Sequence, residues 1–264
     1  MNRTFRYSAS NNNALAQNPK HKFASQHALN IYQADAIYSF IPKNACSTMR
    51  TTLAYANGCI SDTADFNWIH KNNHTFSANL REMLKATYTF TVLRCPFSRL
   101  ASSYLDKIVS RNTVAWGYVD LCERKIDIED ITFESFVKSI KTPRIRAGNI
   151  HWRPQVDFLV YKNYDDYFSV ENFPKAVQTL KEKIGLEVID ARGLTNHGVD
   201  NYSLVDSDDF SSVKPIEFLK MKETGQFPAP RALYNDELIN IVKSAYKDDI
   251  ALYKDVIGTD GMMF

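Results

Sequence analysis

The stretch AIYSFIPKNACSTMRTTLAYAN, residues 36–57, limits what this chain can be more than any other. Its opening, AIYSFI, is short, rich in aromatic and β-branched residues, and stops at Pro42, which predicts a buried strand. From Ser47 onward helix formers take over (Met49, Arg50, Leu53, Ala54, Ala56), and Asn57-Gly58 supplies a stop. Between strand and helix lies a tight turn with one lysine, Lys43, and two hydroxyls, Ser47 and Thr48. Such a turn aims several unpaired backbone N–H groups, and the positive end of the helix dipole, at one point. An anion belongs there, and phosphate is the usual one. The same residues also suit an ordinary strand-turn-helix whose lysine faces solvent.

A Walker loop needs G-x-x-x-x-G-K-[ST]. Here the lysine precedes the turn and no glycine occurs in residues 36–57, so an ATP or GTP site is not expected. A phosphatase cradle fails too, because Cys46 and Arg50 are too close for Cys-x5-Arg. A second strand is predicted over TYTFTVL, residues 87–93. Arg94 closes it, Pro96 opens a helix, and Leu100, Tyr104 and Ile108 share one helical face. Ser102 falls eight positions after Arg94, about two turns into that helix.

The order Pro-Lys-x-x-x-Ser-Thr resembles the 5′-phosphosulfate loop of sulfotransferases. The second stretch resembles their 3′-phosphate segment, where an arginine at a strand end and a serine eight residues later hold the 3′-phosphate of the donor. Its wording, R-x-P-F-x-R-L-x-S-x-Y-x-D-K, is similar to the carbohydrate sulfotransferases of the chondroitin and HNK-1 type, sulfotransferase family 2. The resemblance spans about residues 36–258, specific at these two motifs and weak elsewhere. It implies 3′-phosphoadenosine 5′-phosphosulfate (PAPS) as sulfuryl donor, with no metal. The donor would be held by Lys43, Asn44, Ala45, Cys46, Ser47, Thr48, Arg94 and Ser102, and Lys43 would also serve catalysis.

Two further stretches bear on the acceptor. His70 and His74 lie between the phosphate motifs, where related enzymes place the base that deprotonates the acceptor hydroxyl. Imidazole suits that task because it titrates near working pH. Their spacing of four is also a metal-ligand spacing if helical, but no glutamate accompanies them. Either histidine could equally be an ordinary surface or core residue. His151-Trp152-x-Pro154-Gln155 resembles a third family segment, near the donor and acceptor cleft, and makes His151 and Trp152 candidates for substrate binding. A core Trp152 with a structural His151 is the alternative. The family's cysteines after this motif are absent, so no disulfide is carried over.

The length permits one large domain, and 44% hydrophobic with 23% charged residues is a globular composition. A net charge of +2 gives no reason to expect nucleic acid as partner. No apolar run reaches the length of a membrane span. Cys46, Cys59, Cys95 and Cys122 show neither paired nor zinc-like spacing, which favours reduced thiols in a cytosol. Animal members of the resembled type are anchored in the Golgi membrane, but no apolar anchor is read in this sequence, so a cytoplasmic bacterial member is expected. Nothing in the sequence sets an oligomeric state.

The expected fold is α/β, a P-loop-like three-layer domain over residues 36–258 with a mostly parallel central sheet flanked by helices. Residues 1–35 form a polar, loosely ordered lead-in with a short helix near residues 24–31. Further helices are expected over residues 77–85, 131–140, 173–184 and from Asn235 to about Tyr253, and a strand over residues 167–171. Residues 195–231 read as a turn-rich loop over a cleft. The function expected is sulfuryl transfer from PAPS to a glycan hydroxyl. A lipid or small-molecule acceptor, a nucleotide kinase and a non-catalytic donor-binding protein are the rivals.

Overall fold

Strands β1 (Ala28–Ile31), β2 (Ala36–Ser39), β3 (Tyr88–Leu93) and β4 (Asp166–Ser169) form a sheet in that order. β1 runs antiparallel to β2, while β2, β3 and β4 are mutually parallel, with Ser39 opposite Thr91 and Leu93 opposite Ser169. This is the expected α/β arrangement. The computed structural model describes residues 3–72, 74–191, 193 and 202–264. It divides the chain into two compact units, residues 1–94, 155–196 and 256–261, and residues 95–154, 197–255 and 262–264.

In the first unit, β2 and β3 are buried along their whole length, as their unbroken apolar and threonine runs require. Alternate side chains serve opposite faces. Tyr38, Phe90 and Val92 join one apolar cluster with Met49 and Leu53 of α2 (Cys46–Ala56) and with Ala176 and Leu180 of helix Phe173–Ile184. Ser39 and Thr89 face the other way. Ser39 Oγ lies 2.6 Å from Tyr164 Oη, and Thr89 Oγ1 donates to Asp165 at 2.9 Å. Helix Phe173–Ile184 ends where Gly185 takes φ 64°, a left-handed conformation that glycine adopts without strain.

The lead-in is built into this unit. Arg3 pairs with Asp165 at 2.7 Å, and Phe5 bridges Tyr161 across the backbone. The helix expected near residues 24–31 is instead α1 (Pro19–Gln26), followed by strand β1. Asn18 accepts from the N–H groups of Lys20 and His21 and Pro19 occupies the first turn, which fixes the earlier start. Two short helices follow α2 in this unit, α3 (Trp68–Lys71) and α4 (Leu80–Lys85).

The second unit is mainly helical. It contains α5 (Pro96–Ser103), α6 (Thr113–Leu121), α7 (Phe133–Ser139) and α8 (Pro143–Ala147), with helices Pro215–Glu223 and Asp236–Ala245. Phe97, Tyr104, Tyr118, Phe133, Phe136, Trp152 and Phe218 build its core. Residues 195–201 of the expected loop lie outside the described residues. The remainder is more regular than expected: Ser203–Val205 pairs in parallel with Gln226–Pro228, around helix Pro215–Glu223. The last predicted helix breaks at Tyr246, whose φ of −116° ends Asp236–Ala245 before Lys247–Val256 begins.

Candidate functional site

Parallel register brings the C-terminal ends of β2 and β3 to the same edge of the first unit, and both phosphate motifs start there. After β2 the chain makes its turn with Lys43 at φ 71° and Ala45 at φ 52°, both in the left-handed region that glycine usually fills. No side chain caps α2, so its leading N–H groups lack both intrahelical acceptors and a capping oxygen. Lys43, Ala45, Cys46 and Ser47 are half-buried, whereas Asn44 and Thr48 are buried.

Asn44 faces inward. Its Nδ2 donates to the Val92 carbonyl at 2.8 Å and to Gln155 Oε1 at 2.6 Å. That oxygen also accepts the Arg94 N–H at 3.0 Å, and Gln155 Nε2 returns a bond to the Arg94 carbonyl at 2.9 Å. The Arg94 guanidinium donates from Nη1 to the Lys43 carbonyl at 3.0 Å. The two motifs, far apart in sequence, are therefore one hydrogen-bonded assembly. The groups offered are all donors: the Lys43 ammonium, the Arg94 guanidinium, the Ser47 and Thr48 hydroxyls and the N–H groups of α2. No carboxylate stands in the turn, a donor set that fits phosphate and disfavours a cation.

His70 and His74 are exposed residues of this same unit. His70 sits on α3, its ring 6.0 Å edge-on from Phe66. The carbonyl of its neighbour Ile69 is bonded by the guanidinium of Arg50, which also lies 5.3 Å over the Phe40 ring. His74 lies beyond α3, with Nδ1 3.4 Å from the Gln26 carbonyl and its ring 6.3 Å from that of His27. Burial lowers the pKa of Arg50, yet no carboxylate pairs with it among the described residues.

The other candidates belong to the second unit. Ser102 is half-buried on α5. On the same helix, the buried Arg99 donates to the carbonyls of Arg153 at 2.7 Å and Ile150 at 3.1 Å, and Ser103 Oγ donates to that of His151 at 2.7 Å. These bonds fix the His151-Trp152 segment. His151 Nδ1 lies 2.7 Å from Asn149 Oδ1, which holds the ring in place. Trp152 is fully buried, packed edge-on against Tyr118 and Phe136, its Nε1 donating to the Ile145 carbonyl at 2.9 Å. A ring so enclosed has no face to offer a sugar, so the structure gives Trp152 the core role instead.

Sequence reasoning gave no role to Gln155, Arg50 or Arg99. Gln155 and Arg99 had appeared only as letters within motifs. Most of their hydrogen-bond partners are backbone groups far away in the chain, which leave no mark in a sequence.

An uncapped helix start and an arginine, set side by side at the C-terminal edge of a parallel sheet, define a phosphate-binding α/β protein of P-loop-like type. The chain belongs to the sulfotransferase family, whose model matches residues 29–254, and membership implies a transferase that draws on PAPS. It is similar to carbohydrate sulfotransferase 14 of Danio rerio, 24% identical over 182 residues, 61% of this chain and 48% of that protein. The chain thus spans about half the length of that relative. No solved structure gives a significant match. Among the described residues no helix is long and apolar enough to cross a membrane.

Proposed function

We propose that this protein transfers a sulfuryl group from PAPS to a hydroxyl of a carbohydrate acceptor by in-line displacement, releasing adenosine 3′,5′-bisphosphate. The observation that carries the reading is the 3.0 Å bond from Arg94 Nη1 to the Lys43 carbonyl, which joins the two phosphate motifs. Membership of the sulfotransferase family supports the donor, and similarity to a relative named as a carbohydrate sulfotransferase supports the glycan.

The donor supplies an activated sulfuryl group on a phosphate leaving group. The protein's part is to orient the reactants and to stabilise the negative charge that grows on that phosphate. Lys43, the N–H groups at the start of α2 and the hydroxyls of Ser47 and Thr48 do this. Arg94 takes the 3′-phosphate and so selects this donor over ATP. The resemblance also gives Ser102 to the 3′-phosphate, and that role rests on the resemblance. His70 or His74 accepts the proton of the attacking hydroxyl. No step requires a metal. Cys46, Cys59, Cys95 and Cys122 form no disulfide among the described residues, which supports a bacterial cytoplasm as the compartment.

A screen of [35S]sulfate transfer from PAPS onto glycans, lipids and phenols tests the reading directly. Label on a glycan supports it, label on a lipid or phenol moves the acceptor, and no transfer to any class removes the activity. Calorimetry with adenosine 3′,5′-bisphosphate and ADP tests the donor side. An arginine–phosphate contact contributes about 1.5–3 kcal/mol, so at least a tenfold preference for the bisphosphate is expected. Equal affinity would leave a nucleotide site without the proposed donor.

A further inference from the structure

We propose that Gln155 is a positioning residue for donor binding, holding Arg94 at its working distance from the 5′-phosphate turn. The proposal rests on the donor reading above and gives it a residue that neither the motifs nor the family match assigns.

Gln155 is 1% exposed, and its side-chain amide makes at least three hydrogen bonds. Oε1 accepts from Asn44 Nδ2 at 2.6 Å and from the Arg94 N–H at 3.0 Å, and Nε2 donates to the Arg94 carbonyl at 2.9 Å. One amide therefore grips both backbone groups of Arg94 and, through Asn44, the turn itself. The chain leaves the first unit after Arg94 and re-enters it at Gln155, so these bonds join the residues at exit and return. In a buried setting each such bond is strengthened, and each is costly to leave unmade.

A guanidinium projects from its backbone, so fixing the backbone N–H and carbonyl of Arg94 fixes where its fork can reach. Donor recognition needs that precision, because the spacing between 5′- and 3′-phosphates is set by the nucleotide. The anchors are unequal. If Gln155 is lost, Asn44 keeps its bond to the Val92 carbonyl, whereas Arg94 loses both contacts to the amide. The damage should therefore fall on the 3′-phosphate and largely spare the 5′-phosphate.

The test measures affinities for adenosine 3′,5′-bisphosphate and adenosine 5′-monophosphate by calorimetry, with thermal midpoints, for the parent, Gln155→Met, Arg94→Ala and the double variant. Methionine keeps the side-chain length and removes every hydrogen bond. The expected result is a bisphosphate affinity at least about tenfold weaker in Gln155→Met, with the monophosphate affinity within about threefold of the parent. Within the Arg94→Ala background, Gln155→Met should change bisphosphate affinity less than threefold, because the two residues act as one unit. Gln155→Glu, which keeps the shape but turns an oxygen toward the Arg94 carbonyl, should move the same ratio and decides the matter if the methionine variant does not fold. Equal weakening of both ligands would reduce Gln155 to general packing, and an unchanged ratio would remove the role while leaving the donor reading intact. A parent that binds both ligands alike would overturn donor reading and positioning role together.

Discussion

The guanidinium of Arg50, on α2, donates to the backbone carbonyl of Ile69, on α3, the residue next to His70. The helix that begins at the phosphate turn thus also fixes the short helix carrying a candidate base. A four-residue helix has little stability of its own, so this tether is a main restraint on where His70 stands. Arg50 is 9% exposed and lies over Phe40, and burial works against its charge.

Arg50→Met should therefore separate stability from function. Losing a buried cation relieves its desolvation, which offsets the lost bond, so unfolding free energy should stay within about 1 kcal/mol of the parent. Loosening α3 should lower kcat at least about tenfold while leaving bisphosphate affinity unchanged. Denaturant titration and initial-rate kinetics measure both, and an unaltered kcat would dissociate Arg50 from the reaction.

Ala45 gives a stability prediction of opposite sign to the usual mutation. A residue with a Cβ at φ 52° carries strain of roughly 1–2 kcal/mol that glycine avoids, less the entropy glycine loses on folding. Ala45→Gly should raise unfolding free energy by about 0.5–1 kcal/mol, and the β-branched Ala45→Val should lower it. Chemical denaturation of the two variants decides, and a destabilised glycine variant would show that the turn tolerates alanine without strain.

Trp152 separates a core role from a binding role. Its burial and its bond to Ile145 predict that Trp152→Ala costs about 3–5 kcal/mol of stability. A stacking platform would give the reverse, near-parental stability with a raised acceptor KM. Thermal unfolding beside acceptor KM distinguishes them.

The parts of this protein that were legible in its sequence are local. Pro42, Lys43 and the switch from β-branched to helix-forming residues mark the turn, and Arg94 with Pro96 marks the second strand end, because each signal sits within a few residues of its cause. Gln155 was illegible because Arg94 and Asn44 lie 61 and 111 positions away and both of its bonds to Arg94 are to backbone groups. Trp152 was ambiguous for another reason, since an indole suits a core and a sugar face equally until burial is known. Helix α6 escaped notice because TVAWGYVDL carries a glycine and β-branched residues that lower helix propensity, and tertiary packing overrides them. The division into two units was hidden as well, because Arg94–Cys95 and Pro154–Gln155 carry no linker composition.

Lys43 should show stability and catalysis moving in opposite directions. Its φ of 71° is a glycine conformation, so Lys43→Gly relieves the backbone while deleting the ammonium. We expect a thermal midpoint at or above the parent's with kcat lowered about 10²–10³-fold, the loss typical of one group that stabilises charge in a transition state. Lys43→Ala should lose the same activity without the stability gain. Near-normal turnover in either variant would take Lys43 out of the mechanism.

The base is decided by comparing two exposed histidines of the first unit. His70 stands on α3, whose backbone Arg50 holds at the adjacent residue, whereas His74 leans on the Gln26 carbonyl at 3.4 Å. A catalytic base must stay in register with the hydroxyl it deprotonates, so the tethered position favours His70. His70→Ala should lower kcat by about 10²–10⁴-fold and His74→Ala by far less, with both binding adenosine 3′,5′-bisphosphate as the parent does. An imidazole base is inactive once protonated, so the parent's kcat should fall toward acid pH, and the residual activity of His70→Ala should lack that acidic limb. If His74→Ala is instead the inactive variant, the base moves four residues along the chain. If both retain turnover, His151 is tested next, since Asn149 holds its ring at Nδ1 and so gives it the fixed orientation a base requires.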